Sequence, residues 1–376
     1  QGLLTLIERY SRAPVLDSFE ALLDLGERLA RAEIAAWPDG RYEFVDYLDD
    51  DGIDPEAIPI HVVVTVDGDG LTIDFTGSGA QTRGAINSVM SFTRSATYAC
   101  VKCLLAQSIP NNEGYFRAIE IVAPPGTIVN PLPPGPVAAR GLTGFRIANA
   151  VFGALAKLAP DRIPACEVGG DTGITLGGYH ADRSAFVFLE FLFCSWGGRP
   201  FADGVDGVSS MVVNFSNQSA EVLENDQPLR IEEYGFIPDS GGPGYHRGGL
   251  ALVRQYRFLE KEAVLQIRSD RTKFAPYGLH GGQPGRLCRT ILNPGPGERL
   301  LPAKTYLTLR EGDVLRHELA GAGGWGDPLD REPERVLADV VDGKVTAAGA
   351  ARSYGVILQA DERAVDEEAT ARRRRV

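Results

Sequence analysis

The sequence lacks several features that would assign the protein to a common class. No apolar run approaches the roughly 20 residues that a membrane-spanning helix requires. The chain has no G-x-x-x-x-G-K-[ST] loop for nucleotide phosphates, no H-E-x-x-H zinc motif and no G-x-S-x-G nucleophile elbow. Its formal net charge of -12 argues against a nucleic-acid partner, because phosphates attract lysine and arginine.

Cysteine is also scarce, with five in 376 residues. With no visible secretory context, so few cysteines predict reduced thiols and a cytoplasmic location. Cys100 and Cys103 form a C-x-x-C pair, which zinc and redox sites use, but no second pair follows. Because the surrounding segment has helical character, we interpret the pair as structural.

The chain is longer than one hydrophobic core usually serves, so we expect two or three lobes. Apolar residues recur at helical spacing after Ser18, a candidate N-cap, and predict a helical arm within residues 1–57. Alternating β-branched runs at residues 60–66 and 71–75 flank Asp-Gly-Asp-Gly and predict a hairpin.

The rest of the chain changes character twice. Residues 58–165 combine the hairpin with two predicted helices and form a mixed α/β region. Residues 166–332 contain short β-rich runs separated by glycine turns, and these runs predict a β-rich lobe. Residues 208–215 are one of the predicted strands. Residues 333–376 predict short helices and a charged disordered tail. The expected fold class is therefore α+β.

Two glycine-rich stretches, at residues 238–249 and 268–282, are the strongest local signal. Glycine clusters beside charged residues indicate loops that turn sharply or approach a partner closely. Their candidate site residues are Asp239, His246 and Arg247 in the first stretch, and Asp270, Arg271 and His280 in the second. The arginines could hold a carboxylate bidentately or pair with neighbouring aspartates and pin the loops together. Asp239 could equally be a turn former.

Three shorter motifs add candidates. The Asn112-Glu113 pair follows a proline and predicts an ordered turn, where Glu113 is either a general base or a surface carboxylate. Asp74 ends a predicted strand and is either a site residue or a cap. Arg199 lies in a Trp-Gly-Gly-Arg-Pro loop and is either anion-binding or structural. We interpret His61, His180 and His317 as structural.

Together these motifs resemble a known family. The two glycine-rich stretches are joined by Asp-Phe-Thr-Gly at 74–77, Gly-Ala-Ile-Asn at 84–87, Asn-Glu-Gly at 112–114 and Gly-Gly-Trp-Gly-Asp-Pro at 323–328. They are similar, in the same order, to the signatures of the hydantoinase B family, the B subunits or B halves of N-methylhydantoinase and 5-oxoprolinase. The resemblance covers nearly the whole chain. It implies a longer upstream segment with a His/Asp set associated with metal. Because the sequence starts at Gln1 without methionine, we expect a fragment, a processed piece or a split gene product.

The resemblance implies an ATP-dependent cyclic amide hydrolase that opens a hydantoin or 5-oxoproline-like ring. An A-type subunit would bind ATP with Mg or Mn, and this chain would be the B-type partner in a hetero-oligomer, active only in the complex. No cofactor is expected to bind this chain through a recognisable motif, and a divalent metal would be held by the upstream segment. The alternatives are a subunit of a related acetone or acetophenone carboxylase, or an inactive truncated assembly element.

The resemblance also implies roles for particular residues. We expect catalytic roles for Glu113, Asp239, His246 and Asp270. We expect substrate binding by Asp74, Asn112, Arg199, Arg247, Arg271 and His280, and the metal ligands are unknown. Our hypothesis is that Glu113, Asp239, Arg247 and Asp270 contribute to one pocket.

Overall fold

The computed structural model describes residues 1–169 and 172–375 of the chain. These residues form a helical arm, a first lobe of one sheet with helices, a second lobe of two sheets, and a C-terminal group of helices. The predicted α+β class is confirmed. None of the helices in this part of the chain combines the length and the apolar composition needed to cross a bilayer.

The helical arm consists of α1 (Gly2–Tyr10) and α2 (Arg12–Ile34), separated by a break at Ser11, where φ is 70°. Ser18 lies inside α2 and its hydroxyl donates to the Pro14 carbonyl oxygen at 2.7 Å. Its predicted role as the N-cap is therefore wrong. The helix begins earlier because Pro14 occupies its first turn, where proline needs no backbone N–H.

The first lobe is built on a four-stranded sheet. Its strands are β1 (Gly40–Leu48), β2 (Ile58–Asp67), β3 (Gly70–Asp74) and β4 (Ile119–Val122), in that spatial order, with helices α3 (Met90–Lys102), α4 (Glu113–Phe116) and α5 (Arg140–Leu158). The hairpin prediction is confirmed, because β2 and β3 pair antiparallel. The helical arm does not reach residue 57, since β1 alternates apolar and polar residues and pairs with β2 along its whole length.

The helix α5 is the centre of this lobe and is buried along almost its whole length. Glycines allow two aromatic rings to lie directly against its backbone. A Cβ at Gly144 would lie 1.9 Å from the Phe92 ring, and one at Gly153 would lie 2.5 Å from the Phe44 ring. This packing fixes the helix and, with it, the buried side chain of Arg146, which faces the second lobe.

The second lobe is a sandwich of two antiparallel sheets around one core. The strands are β5 (Thr172–Tyr179), β6 (Ala185–Leu192), β7 (Leu229–Ile237), β8 (Ala251–Phe258), β9 (Glu262–Arg268), β10 (Arg289–Leu292), β11 (Arg299–Leu301), β12 (Lys304–Arg310) and β13 (Val314–Glu318), with one helix, α6 (Ala220–Asp226). One sheet has the order β11-β10-β13-β8-β7 and the other β12-β9-β5-β6. The predicted β-rich lobe agrees with this arrangement. The prediction of a strand at 208–215 is wrong. That segment is a loop whose backbone groups are partly satisfied by Ser209 and Ser210 hydroxyls.

The C-terminal group consists of α7 (Pro333–Val341), α8 (Ala347–Ser353) and α9 (Glu367–Arg374) around a small core of its own. Thr346 caps α8, as its hydroxyl accepts from the Gly349 N–H at 2.9 Å. The predicted disordered tail is wrong for the described residues up to 375. Asp366 caps α9, and the Arg374 guanidinium donates to the carbonyl oxygens of Tyr354 and Arg331, so the basic run is tied to the fold.

Candidate functional site

The glycine-rich loops pack tightly against one another. A Cβ at Gly321 would lie 1.7 Å from the Ser240 carbonyl oxygen, and one at Gly323 would lie 1.9 Å from the Tyr277 carbonyl oxygen. His246 and Trp325 exchange two backbone hydrogen bonds of 2.9 Å across the same junction. The close approach expected from the glycines is therefore present, but at these positions the approaching group is backbone of the next loop.

Behind these loops lies a charged cluster centred on Asp203. Arg331 donates to both of its carboxylate oxygens at 2.6 and 2.9 Å, and Arg335 donates at 3.2 Å. Arg331 also reaches Asp339 at 2.7 Å and thus connects α7 to the loops. Burial alone raises the pKa of Asp203, but the Arg331 hydrogen bonds outweigh it and lower the pKa to about 2. The cluster holds its charges at neutral pH.

Several predicted site residues surround this cluster and form hydrogen bonds or close contacts with other groups of the protein. Arg199 donates to the Asp203 carbonyl oxygen at 3.0 and 2.7 Å, and Arg247 donates to the Gly248 carbonyl oxygen at 2.6 Å. His246 is buried, with Nδ1 3.8 Å from a carboxylate oxygen of Asp203, and burial lowers the pKa of its imidazole. These contacts support loop pinning for both arginines, and their substrate-binding roles stay predictions.

The remaining candidates in and near the loops lie elsewhere. Asp239 accepts from the backbone N–H and the hydroxyl of Thr346, at 2.8 and 2.5 Å, and so anchors α8. Asp239 and Arg247 line one small cavity of about 10 Å³, which is no larger than one water. His280 is exposed, with its ring centroid 5.1 Å from that of Trp325.

Asn112, Glu113 and Asp74 belong to the first lobe. The Asn112 side chain caps α4, accepting from the Gly114 N–H at 2.9 Å and donating to the Leu22 carbonyl oxygen at 3.1 Å. Glu113 is exposed in the first turn of α4, beside α2. Asp74 accepts from the Thr76 N–H at 2.8 Å, which is a local turn. The structure therefore shows capping contacts for Asn112 and Asp74.

Asp270 and Arg271 join the two lobes through a buried ionic network. Arg146 of α5 donates to Asp270 at 2.6 Å, and the Asp49 backbone N–H donates to it at 2.9 Å. Arg271, with φ of 67°, donates to both carboxylate oxygens of Asp46 in β1 at 3.1 and 2.9 Å. The network thus links β1 and α5 of the first lobe with the segment after β9 in the second.

The hypothesis of one shared pocket is wrong within the described residues. Glu113 lies beside α2, Asp239 anchors α8, Arg247 lies in the Asp203 cluster, and Asp270 has no exposed surface. The physical reason is that Arg247 and Asp270 are buried in ion pairs with residues distant in sequence, while Asp239 is held by Thr346 and Glu113 is exposed in the first lobe.

The pKa values of the ionisable side chains in the interlobe network are shifted in different directions. Burial raises the pKa of Asp270, but Lys304 and Arg146 outweigh it, and the net pKa is lowered. Burial and repulsion from Asp270 raise the pKa of Asp49. Burial lowers the pKa of Lys304, but the attraction of Asp270 and Asp50 is stronger and raises it overall. Asp270 and Lys304 are therefore both charged at neutral pH.

A cleft between the lobes opens beside this network and is the best candidate site. It has a volume of about 320 Å³, and its walls include residues 51–53 and 83–86 of the first lobe and residues 266–268 and 304–306 of the second. The Gly-Ala-Ile-Asn motif meets there the start of the second glycine-rich stretch, Arg-Ser-Asp-Arg at 268–271. Asn87 holds the first motif rigid by donating to the carbonyl oxygens of Thr82, Gly84 and Pro136.

Arg268 is the cationic side chain in the cleft that remains available to bind an anion. Arg83 forms a bidentate pair with Asp54 at 3.1 and 2.6 Å, and Lys304 lies 3.4 Å from Asp50 and 3.5 Å from Asp270. The Arg268 guanidinium donates to the Gln266 side chain at 2.8 Å and has no carboxylate within ion-pairing distance among the described residues. Sequence reasoning missed Arg268, although it opens the Arg-Ser-Asp-Arg motif. It also missed Asp46 and Arg146, for which no local signal exists.

The described residues contain no group of three or more His, Cys, Asp or Glu side chains placed to bind a metal ion. Cys100 is buried, with Sγ 3.7 Å from the Ala148 carbonyl oxygen, which supports the structural interpretation of the C-x-x-C pair. Cys100, Cys103, Cys166 and Cys194 are free thiols, and the cytoplasmic location stays a prediction.

The chain belongs to the Hydantoinase B/oxoprolinase family, whose family model matches residues 1–328. It is 33% identical to a protein of Pseudomonas sp. strain NS671 described as the B component of a D-/L-hydantoinase, over 100% of this chain and 65% of that protein. The chain therefore spans a little under two thirds of the length of this relative.

Solved structures share the fold. The ATP-dependent caprolactamase from Pseudomonas jessenii superposes with a TM-score of 0.89 at 26% identity, covering 100% of this chain and 66% of that one. Nucleotide-free acetone carboxylase superposes with a TM-score of 0.88 at 20% identity, covering 99% of this chain and 57% of that one. The second likeness shows the fold alone.

Proposed function

We propose that this chain is the B-type component of an ATP-dependent cyclic amide hydrolase and acts with an A-type, ATP-binding partner. The observation that carries the proposal is the 33% identity with a hydantoinase B component along the entire chain. A hydantoin or 5-oxoproline-like ring is the proposed substrate. The absence of a nucleotide motif in this sequence agrees with a partner that binds ATP and its Mg or Mn.

We infer that the interlobe cleft is where this chain contacts the substrate. Its volume of about 320 Å³ lies at the lower end of the range for small-ligand sites. A ring amide is a poor electrophile, and its opening generates negative charge that positioned donors stabilise. Arg268 would hold an anionic group by charge-assisted hydrogen bonds, and the buried network beneath it would keep the cleft walls in place.

The test is turnover by the chain purified with its A-type partner. ATP-dependent ring opening of hydantoin or 5-oxoproline, independent of bicarbonate, would support the hydrolase. Bicarbonate-dependent consumption of a ketone would show a carboxylase instead. An assembled complex that turns over none of these substrates would support the inactive assembly element and refute the proposal.

The role of the cleft is tested by Arg268→Gln. We expect KM for 5-oxoproline, which carries a carboxylate, to rise about tenfold or more, because a hydrogen bond to a charged group contributes roughly 1.5–3 kcal/mol. Unsubstituted hydantoin carries no carboxylate and should respond less. Arg310→Gln is the matched control, since Arg310 is an exposed arginine at the end of β12 that lies away from the cleft. Equal effects of both variants would remove the assignment of Arg268.

A further inference from the structure

A second cavity, which shares no lining residue with the interlobe cleft, has walls of aromatic side chains. Its volume of about 550 Å³ exceeds the 320 Å³ of the cleft and lies within the range of small-ligand sites. The apolar walls come from the loop at 207–217 and from the ends of β6, β7 and β8: Phe193, Val208, Phe215, Tyr234, Phe236 and Leu252. We call this cavity the aromatic pocket.

The walls of the aromatic pocket are tied together by one amide side chain. Asn217 accepts from the Phe193 backbone N–H at 2.9 Å and donates to the Phe193 carbonyl oxygen at 3.0 Å. The same side chain donates to the Tyr234 hydroxyl at 3.2 Å. The Phe215 ring stacks on that of Phe193, with centroids 5.4 Å apart and planes inclined by 16°. The pocket is therefore formed before any ligand enters, which lowers the entropy that binding costs.

The aromatic pocket offers no charge to a ligand. Among the described residues that line it, none is Asp, Glu, Lys, Arg or His. The Arg254 guanidinium lies 4.2 Å from the Tyr234 ring centroid, but it is buried and donates to Glu190 at 2.6 Å. A charged ligand would lose its hydration here without gaining a counterion. The pocket therefore favours an uncharged ligand.

Two polar side chains in the lining are available to such a ligand. The Asn214 amide and the Ser216 hydroxyl form no side-chain hydrogen bond within the part of the chain that the structure describes. Both groups can donate and accept. The aromatic walls favour another flat ring, because ring faces and edges attract one another in stacked and edge-to-face contacts. Together these features select a flat ring that carries N–H and C=O groups.

We propose that the aromatic pocket binds an uncharged flat ring with amide groups, at a site separate from the anion site inferred in the interlobe cleft. A hydantoin with an aromatic substituent has this chemistry. Hydrolytic opening of the hydantoin ring adds one water and creates a carboxylate, which the uncharged lining would disfavour. The pocket would thus hold the substrate and release the product. The choice of a hydantoin rests on the proposed function, whereas the requirement for an uncharged ring rests on the pocket itself.

The first experiment is calorimetric titration of the full chain at neutral pH with 5-benzylhydantoin and with N-carbamoylphenylalanine, its ring-opened and anionic form. We expect the ring form to bind about tenfold more tightly or better, because the carboxylate has no counterion in the pocket. Phe215→Ala should weaken binding of the ring form about fivefold or more, since it removes one aromatic wall. Phe201→Ala is the matched control: Phe201 is 75% and Phe215 60% exposed, and only Phe215 lines the pocket.

No binding of the ring form to the folded chain would overturn the proposal, and so would equal affinity for the two forms. Binding that Arg268→Gln weakens and Phe215→Ala leaves unchanged would place the ring in the interlobe cleft and also overturn it. Self-association of the chain that Phe215→Ala abolishes would show a protein contact instead. Binding without turnover in the assembled complex would count only against the proposed function, and turnover without binding at the aromatic pocket only against the pocket.

A second experiment reports where the ring binds. The Trp196 indole N–H donates to the carbonyl oxygen of Ser209, a lining residue, at 2.6 Å, whereas Trp37 packs against the core of the first lobe. Binding of 5-benzylhydantoin should change the tryptophan emission of the unmodified protein and of Trp37→Phe. In Trp196→Phe the change should disappear while calorimetry still detects binding. An emission change that persists in Trp196→Phe and is lost in Trp37→Phe would refute this location.

Discussion

His317 in β13 is a buried histidine whose neutral form is required by the fold. Its side chain has no exposed surface, Nε2 lies 2.9 Å from the Thr172 hydroxyl, and Nδ1 lies 2.9 Å from the Thr290 hydroxyl. Burial lowers the pKa of the imidazole from 6.5 to about 4, against a weaker opposing effect of Glu318. The structural interpretation made for His317 from the sequence agrees with this environment.

The magnitude follows from linkage. Between pH 4 and 6.5 the unfolded chain binds a proton that the folded protein does not, so the free energy of unfolding rises with pH in this window. A shift of this size corresponds to about 3 kcal/mol. The contribution is fully present above the unfolded pKa of about 6.5 and is lost as the pH falls towards 4.

The assay is urea unfolding between pH 4 and 8, followed by tryptophan fluorescence, for the unmodified protein and for His317→Gln. The unmodified protein should lose about 3 kcal/mol more than the variant across this range. Parallel pH profiles for His317→Gln and the unmodified protein, or an NMR titration of His317 near pH 6.5, would refute the reasoning.

Gly321→Ala places a Cβ 1.7 Å from a backbone oxygen of the facing loop, so we expect a loss of more than about 3 kcal/mol in urea unfolding. Gly177→Ala, with no atom within 4 Å of the new Cβ, should be nearly neutral, and equal losses would contradict the packing argument. Arg271→Gln removes the bidentate partner of buried Asp46 and should cost about 3–5 kcal/mol in the same assay, whereas a loss below about 1 kcal/mol would show the pair to be dispensable. Cys103 is exposed and the other cysteines are buried, so a thiol reagent should modify one thiol in the native protein and further thiols only after denaturation; a second fast-reacting native thiol would contradict this burial.

Local patterns predicted much of the fold. The hairpin formed by β2 and β3, the two longer helices of the first lobe (α3 and α5) and the change to β structure after residue 165 were all predicted from short-range periodicity and turn residues. The failures are also local in origin. The composition of residues 208–215 predicts a strand, but serine hydroxyls bond part of the backbone of this segment as a loop. The terminal arginines lie in a helix that Asp366 caps.

The sequence by itself determined which positions must be glycine-rich loops, and the order of its motifs indicated the family. Only the tertiary structure decided what those loops approach and which charges remain available. Asp270 and Arg271 are buried in the interlobe network, while Arg268 in the same motif faces the cleft. The reason is physical: Arg271 pairs with Asp46 across 225 positions of sequence, and such long-range pairing leaves no trace in any local pattern.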